Sequence, residues 1–295
     1  MDTSILYALS ASAAWAVGSL LFGHLGRQTT AATLNFAKCA TATLLLAATW
    51  FARGATSLDA PLGAWALLAA SSVVGLSIGD TAYFTSIRHI GVGRALLLLS
   101  TAPLFATLGG VLVFGEHIGA REILGIALTS GGVFIVVSGS GGGAGATAGG
   151  SFKAGVALGL VAALMQATGT MLSRSAMRGG IDPLASSVAR VGFAALMLGA
   201  VAVVRGDVPA WTRDLRRDHL LAKIGGAAFI GTYGGIWLSQ LALAGKQSTG
   251  VTTTLLATSP IFALPIERFA LGVPHGLRAF IGAALAIAGV AVLST

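Results

Sequence analysis

The sequence predicts an all-α integral membrane protein, built as ten transmembrane helices in two inverted five-helix repeats. Three observations predict it. Of 295 residues, 55% are hydrophobic and 9% charged, with a mean hydropathy of +0.86, where a soluble domain carries roughly 25% charged residues. The apolar residues gather into ten runs, most close to the ~20 residues a helix needs to cross a bilayer; barrel strands would instead show alternating segments of about ten residues. The second half also repeats the first. Pro260 follows Pro103 at an offset of 157 (260 − 103), and at that offset Leu98 matches Leu255, Thr101 Thr258, Phe105 Phe262, Gly115 Gly272, Gly125 Gly282 and Gly132 Gly289.

The runs of the first repeat, residues 1–138, are 4–23, 31–51, 63–87, 92–114 and 120–138. Those of the second, 154–295, are 154–174, 184–204, 221–243, 249–269 and 277–294. Between them, 139–153 is rich in Gly, Ser and Ala and reads as a flexible linker. Asp2 precedes the first run without any basic residue, so a cleaved signal peptide is not expected. The polar segment 205–219, which holds Trp211, reads as an amphipathic surface loop. With five runs each, an odd number, the second repeat must enter the membrane from the opposite side. Inverted repeats of this kind place a substrate site near the midplane between them.

The formal charge is +8 and the pI about 10.6. The basic residues are scattered over short loops without interleaved aromatics, which fits lipid headgroups and not nucleic acid. With the N-terminus inside, the cytoplasmic loops hold Arg53, Arg121, Arg174, Arg178 and Lys246, and the opposite side more than twice as many. The positive-inside rule therefore favours both termini outside. The single cysteine, Cys39, rules out an intrachain disulfide. The five histidines lie in or beside loops and form no metal-binding spacing, so no metal or cofactor is expected. No glycine run ends in Gly-Lys-Ser/Thr, so ATP-driven transport is not encoded here.

The broken runs anchor the candidate site. Pro103 and Pro260 have no N–H to give, and act as hinges. Ser100, Thr101, Thr258 and Ser259 supply hydroxyls that serve the freed backbone and could also line a cavity. Asp80 is the one carboxylate well inside a run. It reads either as a coupling group or partner for a cationic substrate, or as an interfacial acid paired with Arg88; Tyr83 lies one turn on. Lys38 and Arg190 occupy matching positions in the second and seventh runs. They either meet an anionic substrate group, tie helices together, or extend to the interface. Trp15, Gln166, Trp237 and Gln240 either orient substrate or join helices. Glu116 with His117, and Glu267 with Arg268, lie at run ends and read either as solvated ion pairs or helix-end caps, or as gating pairs. Gly75 and Gly79, and Gly155 and Gly159, have the spacing for close helix contact.

These features resemble the EamA-type transporters of the drug/metabolite transporter superfamily: two five-run halves, the Ser/Thr-x-Pro breaks, Phe114-Gly115-Glu116 and a Gly-rich closing run. The resemblance covers nearly the whole chain and is strongest over 91–139 and 250–293. It implies a secondary transporter, often an exporter, of amino acids or similar small metabolites, working by alternating access. The cavity is expected between the halves, lined mainly by the first, third and fourth runs of each. A multi-pass position in the inner (plasma) membrane of a bacterium is implied as well, with both termini cytoplasmic, against the loop count. The implied partners are a small-molecule substrate and the lipid bilayer, with a homodimer left open. The chain departs from symmetry at Glu116, whose second-half counterpart is Val273. The competing reading is an uncoupled facilitator or channel for a small polar solute; an enzyme would need convergent acids or a metal motif, and the sequence offers none.

Overall fold

The computed structural model describes residues 2–54, 60–138, 151–270 and 276–294; residues 139–150 of the expected linker lie outside them. The described residues form helices and turns: α1 (Thr3–Leu25), α2 (Ala31–Ala52), α3 (Leu62–Ile90), α4 (Val92–Leu99), α5 (Ala102–Phe114), α6 (Ala120–Ser138), α7 (Phe152–Arg178), α8 (Pro183–Arg205), α9 (Val208–Arg216), α10 (220–243), α11 (Thr249–Leu256), α12 (Ser259–Ala270) and α13 (Leu277–Ser294). Each of the ten apolar runs is thus helical, with breaks in the fourth and ninth. Among the described residues, seven rods are long and apolar enough to cross a membrane: α1, α2, α3, α4–α5, α7, α8 and α11–α12. The outward faces leave Leu44, Leu112, Leu196 and Val204 more than two-thirds exposed, a surface suited to hydrocarbon and not to water.

Local chemistry sets the helix ends. Asp2 caps α1 by accepting from the Ser4 backbone N–H, a bond that holds its carboxyl below the ordinary value. Thr30, Ser151, Asp182 and Ser248 cap α2, α7, α8 and α11 in the same way. Gly115 ends α5 with φ of 62°. A residue with a Cβ strains in that left-handed turn, and the turn sends the next residue, Glu116, back under the helix.

The packing has an internal symmetry. α1 packs on α10 and α7 on α3; α5 packs on α7 and α12 on α1; α2 packs on α8 and α6 on α13. Exchanging the two halves leaves this set of contacts unchanged. The duplicated glycines sit where the rods cross most closely. A Cβ on Gly18 would lie 2.7 Å from the Cα of Gly231, and one on its counterpart Gly169 would lie 2.8 Å from the Cα of Gly75. At the α6–α13 crossing, Cβ atoms on Gly132 and Gly289 would stand 2.5 and 2.8 Å from the carbonyls of Gly282 and Gly125. Close approach of this kind is how helices associate where no water drives them together. Hydroxyls add to it: Ser71 and Ser86 on α3 donate to the carbonyls of Gly169 and Gly155 on α7, at 2.6 and 2.7 Å.

Two local expectations are corrected. The breaks precede the prolines: Ser100 and Thr101 leave the helix, and Pro103 sits in the first turn of α5, where its missing N–H costs nothing. The hydroxyls of Ser100, Thr101 and Thr258 donate to the carbonyls of Leu97, Leu98 and Leu255 at 2.6–2.7 Å. Pro260 likewise lies in the first turn of α12, and Pro265, which is not among the expected hinges, lies inside it. The second correction concerns 205–219, which contains the helix α9 and not only loop. Trp211 on α9 is buried, with its ring 5.4 Å from that of Phe36, and Leu215 one turn later packs on the core that holds Leu34, Ala37, Leu220 and Ile224. That i, i+4 apolar pair explains why a polar segment folds.

A central cavity with a buried ion pair

A cavity of about 140 Å³ lies between the two halves. At ~10–15 Å³ per water, that is room for on the order of ten waters or a solute of similar size. Its walls come from α1, α3, α4 and the start of α5 in the first half and α7, α10, α11 and α12 in the second, with Lys38 reaching in from α2. Trp15, Asp80, Tyr83, Ser100, Gln166, Ser259 and Pro260 line it as well. Ser259 therefore faces the cavity, while its neighbour Thr258 is buried and bonded to Ser12 of α1 at 2.9 Å. Thr101, Pro103, Trp237, Gln240 and Arg190 are not part of the wall. Trp237 packs beside Tyr233, with the Arg53 guanidinium 5.8 Å from its ring centroid.

Lys38 Nζ and Asp80 Oδ2 form an ion pair at 2.5 Å, with side-chain exposures of 6% and 19%. Lys38 thus does not extend to the interface, and the partner of Asp80 is Lys38 and not Arg88. The local backbone explains the geometry. Residues Ser72–Gly79 of α3 form a π-helical stretch. Such a wider turn shifts the angular phase of the residues beyond it, and it recurs at functional sites. Asp80 is the first residue past the stretch. The carbonyls of Leu76 and Ser77 accept from Asn35 Nδ2 at 2.7 and 3.4 Å, and the same amide nitrogen donates to Thr81 at 2.9 Å. Asn35 lies one turn before Lys38, so one face of α2 supplies both the support for the π turn and the partner for Asp80. The sequence carries that signal as two polar residues at i, i+3 within an apolar run, of which Lys38 alone stands out by its charge. Phe84 completes the group, its ring 5.6 Å from Lys38 Nζ.

The matching site in the second half is built differently. α10 has its own π-helical stretch, Phe229–Gly234, but Trp237 stands at the offset of Asp80. Arg190 is buried and donates from Nη1 to Gln240 Oε1 at 3.2 Å. Gln240 Nε2 donates to Ser173 at 2.6 Å and Ser186 at 2.5 Å. Gln240 therefore joins α7, α8 and α10 in a knot behind the cavity wall. Trp15 lies flat on α10: a Cβ on Gly235 would be 2.4 Å from its indole nitrogen. Ser19, Phe22, Phe84, Thr170 and Thr232 also line the cavity; as single small or aromatic residues in apolar runs they give no signal of it in the sequence.

A second polar cluster joins the two halves at the helix ends. The Glu116 carboxylate accepts from the backbone N–H and the hydroxyl of Thr249, both at 2.8 Å, and from Arg178 Nη2 at 3.1 Å; Arg174 Nη2 stands 3.6 Å away. Arg174 also donates to the carbonyl of Gln247. A carboxylate at the N-terminus of α11 is well placed electrostatically. Glu116 thus ties the end of α5 to α7 and α11, across the two halves, in place of the expected pair with His117. The side chain of Glu267 and all of Val273 and His275 lie outside the described residues. Among the described residues no three His, Cys, Asp or Glu side chains converge as they would around a metal ion.

Comparison with known proteins agrees with this architecture. The sequence model of the EamA-like transporter family matches twice, over residues 2–138 and 153–295. A solved structure, titled only "Crystal structure of protein", superposes with a TM-score of 0.76 over 99% of this chain and 95% of its own, at 14% identity, a likeness of fold. No curated protein matches the sequence.

Proposed function

Because the chain belongs to the EamA-like transporter family, we propose that it is a secondary transporter that carries a small organic solute by alternating access. In this reading all ten helical rods cross the membrane, and the halves are inverted repeats that rock about the cavity between them. The observation that carries it is the cavity itself. Its walls come from corresponding helices of both halves and run past both helix breaks, at 100–101 and 257–258. Broken helices beside a midplane site are the usual construction of such transporters. Trp15, Asp80, Tyr83, Ser100, Gln166 and Ser259 are the groups that would touch substrate, and the breaks before Pro103 and Pro260 are where α4–α5 and α11–α12 would bend. The Glu116 cluster is the gate of one face, since opening there must part Glu116 from Thr249, Arg174 and Arg178. A position in a bacterial inner membrane and the direction of export belong to the same proposal.

Counterflow in proteoliposomes tests it. A carrier takes up labelled solute faster when the lumen is preloaded with unlabelled solute. Uptake indifferent to preloading would count against alternating access and favour the second reading, an uncoupled facilitator. One observation favours that second reading: Asp80, the carboxylate of the cavity, is already held by Lys38. Wild type and the double variant Lys38→Met with Asp80→Asn separate the two under a pH gradient. A proton-coupled carrier loses gradient-driven accumulation in that variant, and a facilitator shows none in either protein.

A further inference from the structure

The charges around the cavity do not balance. Lys38 and Arg190 are both buried, at 5% and 3% exposure, and both are cations. They share one carboxylate. Among the described residues that carboxylate is Asp80, which contacts Lys38 directly. No carboxylate stands within 4 Å of Arg190 among the described residues. Its protein partner is a neutral amide, Gln240, and its Nε has none. The path from Arg190 to the cavity is short. A Cβ on Gly75 would lie 3.4 Å from Arg190 Nη2 and 3.8 Å from Gln166 Oε1, so both groups flank the same glycine, and Gln166 lines the cavity. The site therefore keeps one net positive charge in the interior, where an uncompensated ion is strongly disfavoured, next to a cavity with aromatic and aliphatic walls.

We infer that the solute is a small organic monoanion: one acid group that compensates the Lys38–Asp80–Arg190 cluster, attached to an apolar body of roughly ten non-hydrogen atoms, as the cavity volume sets. This rests on the transporter reading and adds the substrate's charge to it. The acid group sits on the Lys38 side, and the apolar body lies against Trp15, Phe22 and Phe84. The charge also shapes the cycle. The loaded site is neutral and the empty site carries one positive charge, so membrane potential acts on the return of the empty carrier and not on the loaded step.

Matched probes test this by titration calorimetry on the purified full chain: 3-phenylpropanoate and hexanoate as anions, 3-phenylpropylamine and hexylamine as cations, phenylalanine as zwitterion. The anions are expected to bind at least about tenfold more tightly than the amines and than phenylalanine. Arg190→Gln, which removes the surplus charge, is expected to abolish that preference, and Arg190→Lys to keep it. In wild-type proteoliposomes a potential is expected to change net efflux of 3-phenylpropanoate but not its one-for-one exchange. Preferential binding of an amine or of phenylalanine, or no anion binding at millimolar concentration, overturns the inference. So does an anion preference that survives Arg190→Gln. Failure of the transporter reading is separate: a probe that binds but shows no trans-stimulation sinks that reading and leaves the charge preference standing.

Discussion

Lys38 and Arg190 occupy duplicated positions on duplicated helices, yet the two halves treat them differently. In the first half Lys38 meets a carboxylate on the cavity wall. In the second, Arg190 meets an amide behind the wall, and the amide is tied to two serines. The backbone devices are nearly the same on both sides: a π-helical stretch, a helix break and a glycine crossing. The chemistry hung on them is not. The scaffold has kept the symmetry that the proposed rocking would need, and the side chains have departed from it where a solute with two unlike ends would be held. The Glu116 cluster is unequal in the same sense, since Glu116 has Val273 as its counterpart.

Breaking the first-half pair should have the largest effect. Asp80→Asn leaves Lys38 buried without its partner, and loss of one member of a buried pair costs about 3–5 kcal/mol. The thermal midpoint of the purified protein should fall accordingly, and Lys38→Met combined with Asp80→Asn should recover most of it. A double variant no more stable than Asp80→Asn would mean that the pair is not what holds α2 to α3. Next comes the α6–α13 crossing. Gly132→Val would push a side chain onto the carbonyl of Gly282 and the nitrogen of Ala286, an overpacking worth about 1–3 kcal/mol. Its counterpart Gly289→Val should cost a similar amount, and a large difference between them in the same melting experiment would break the symmetry claimed for this contact. In the second half, Gln240→Leu removes the hydrogen bonds of Arg190, Ser173 and Ser186, and leaving such buried groups unmet costs about 1–3 kcal/mol. Because Gln240 lies outside the cavity wall, the charge preference of binding should persist; loss of that preference with unchanged stability would move Gln240 into the site. The smallest effect is at the breaks. Ser100→Ala removes one hydroxyl–carbonyl bond, worth on the order of 0.6 kcal/mol in a membrane interior.

Much of the architecture is legible in the sequence because it depends on periodic or repeated signals. Apolar runs, the 157-residue offset and the paired glycines each report a property of the backbone, and the helices form where those signals lie. Partners across helices are less legible. Lys38 and Asp80 both stand out as charges within apolar runs, but nothing local joins residues 42 positions apart. The link depends on a π-helical stretch at Ser72–Gly79 that has no simple sequence mark, and on Asn35, which looks like one more residue in an apolar run. Glu116 misleads for a related reason: His117 is its neighbour in sequence, while Gly115 turns the chain so that its partners are Thr249, Arg174 and Arg178. The segment around Trp211 looks like loop because its charges outnumber its apolar residues, though two of those, one turn apart, are enough to seat a helix.

In the proposed cycle the Glu116 cluster and the opposite side of the cavity open in alternation. Cys39 is the one native cysteine and is buried, so a Cys39→Ala background accepts single reporters. Thr107→Cys places a thiol between α5 and α11, against Gly250 near the Glu116 cluster, and Ser19→Cys places one on the cavity wall. In vesicles, labelling by a membrane-impermeant maleimide should rise at position 107 and fall at position 19 when Glu116→Gln is introduced. Labelling that rises at both positions, or shifts at neither, would contradict the account.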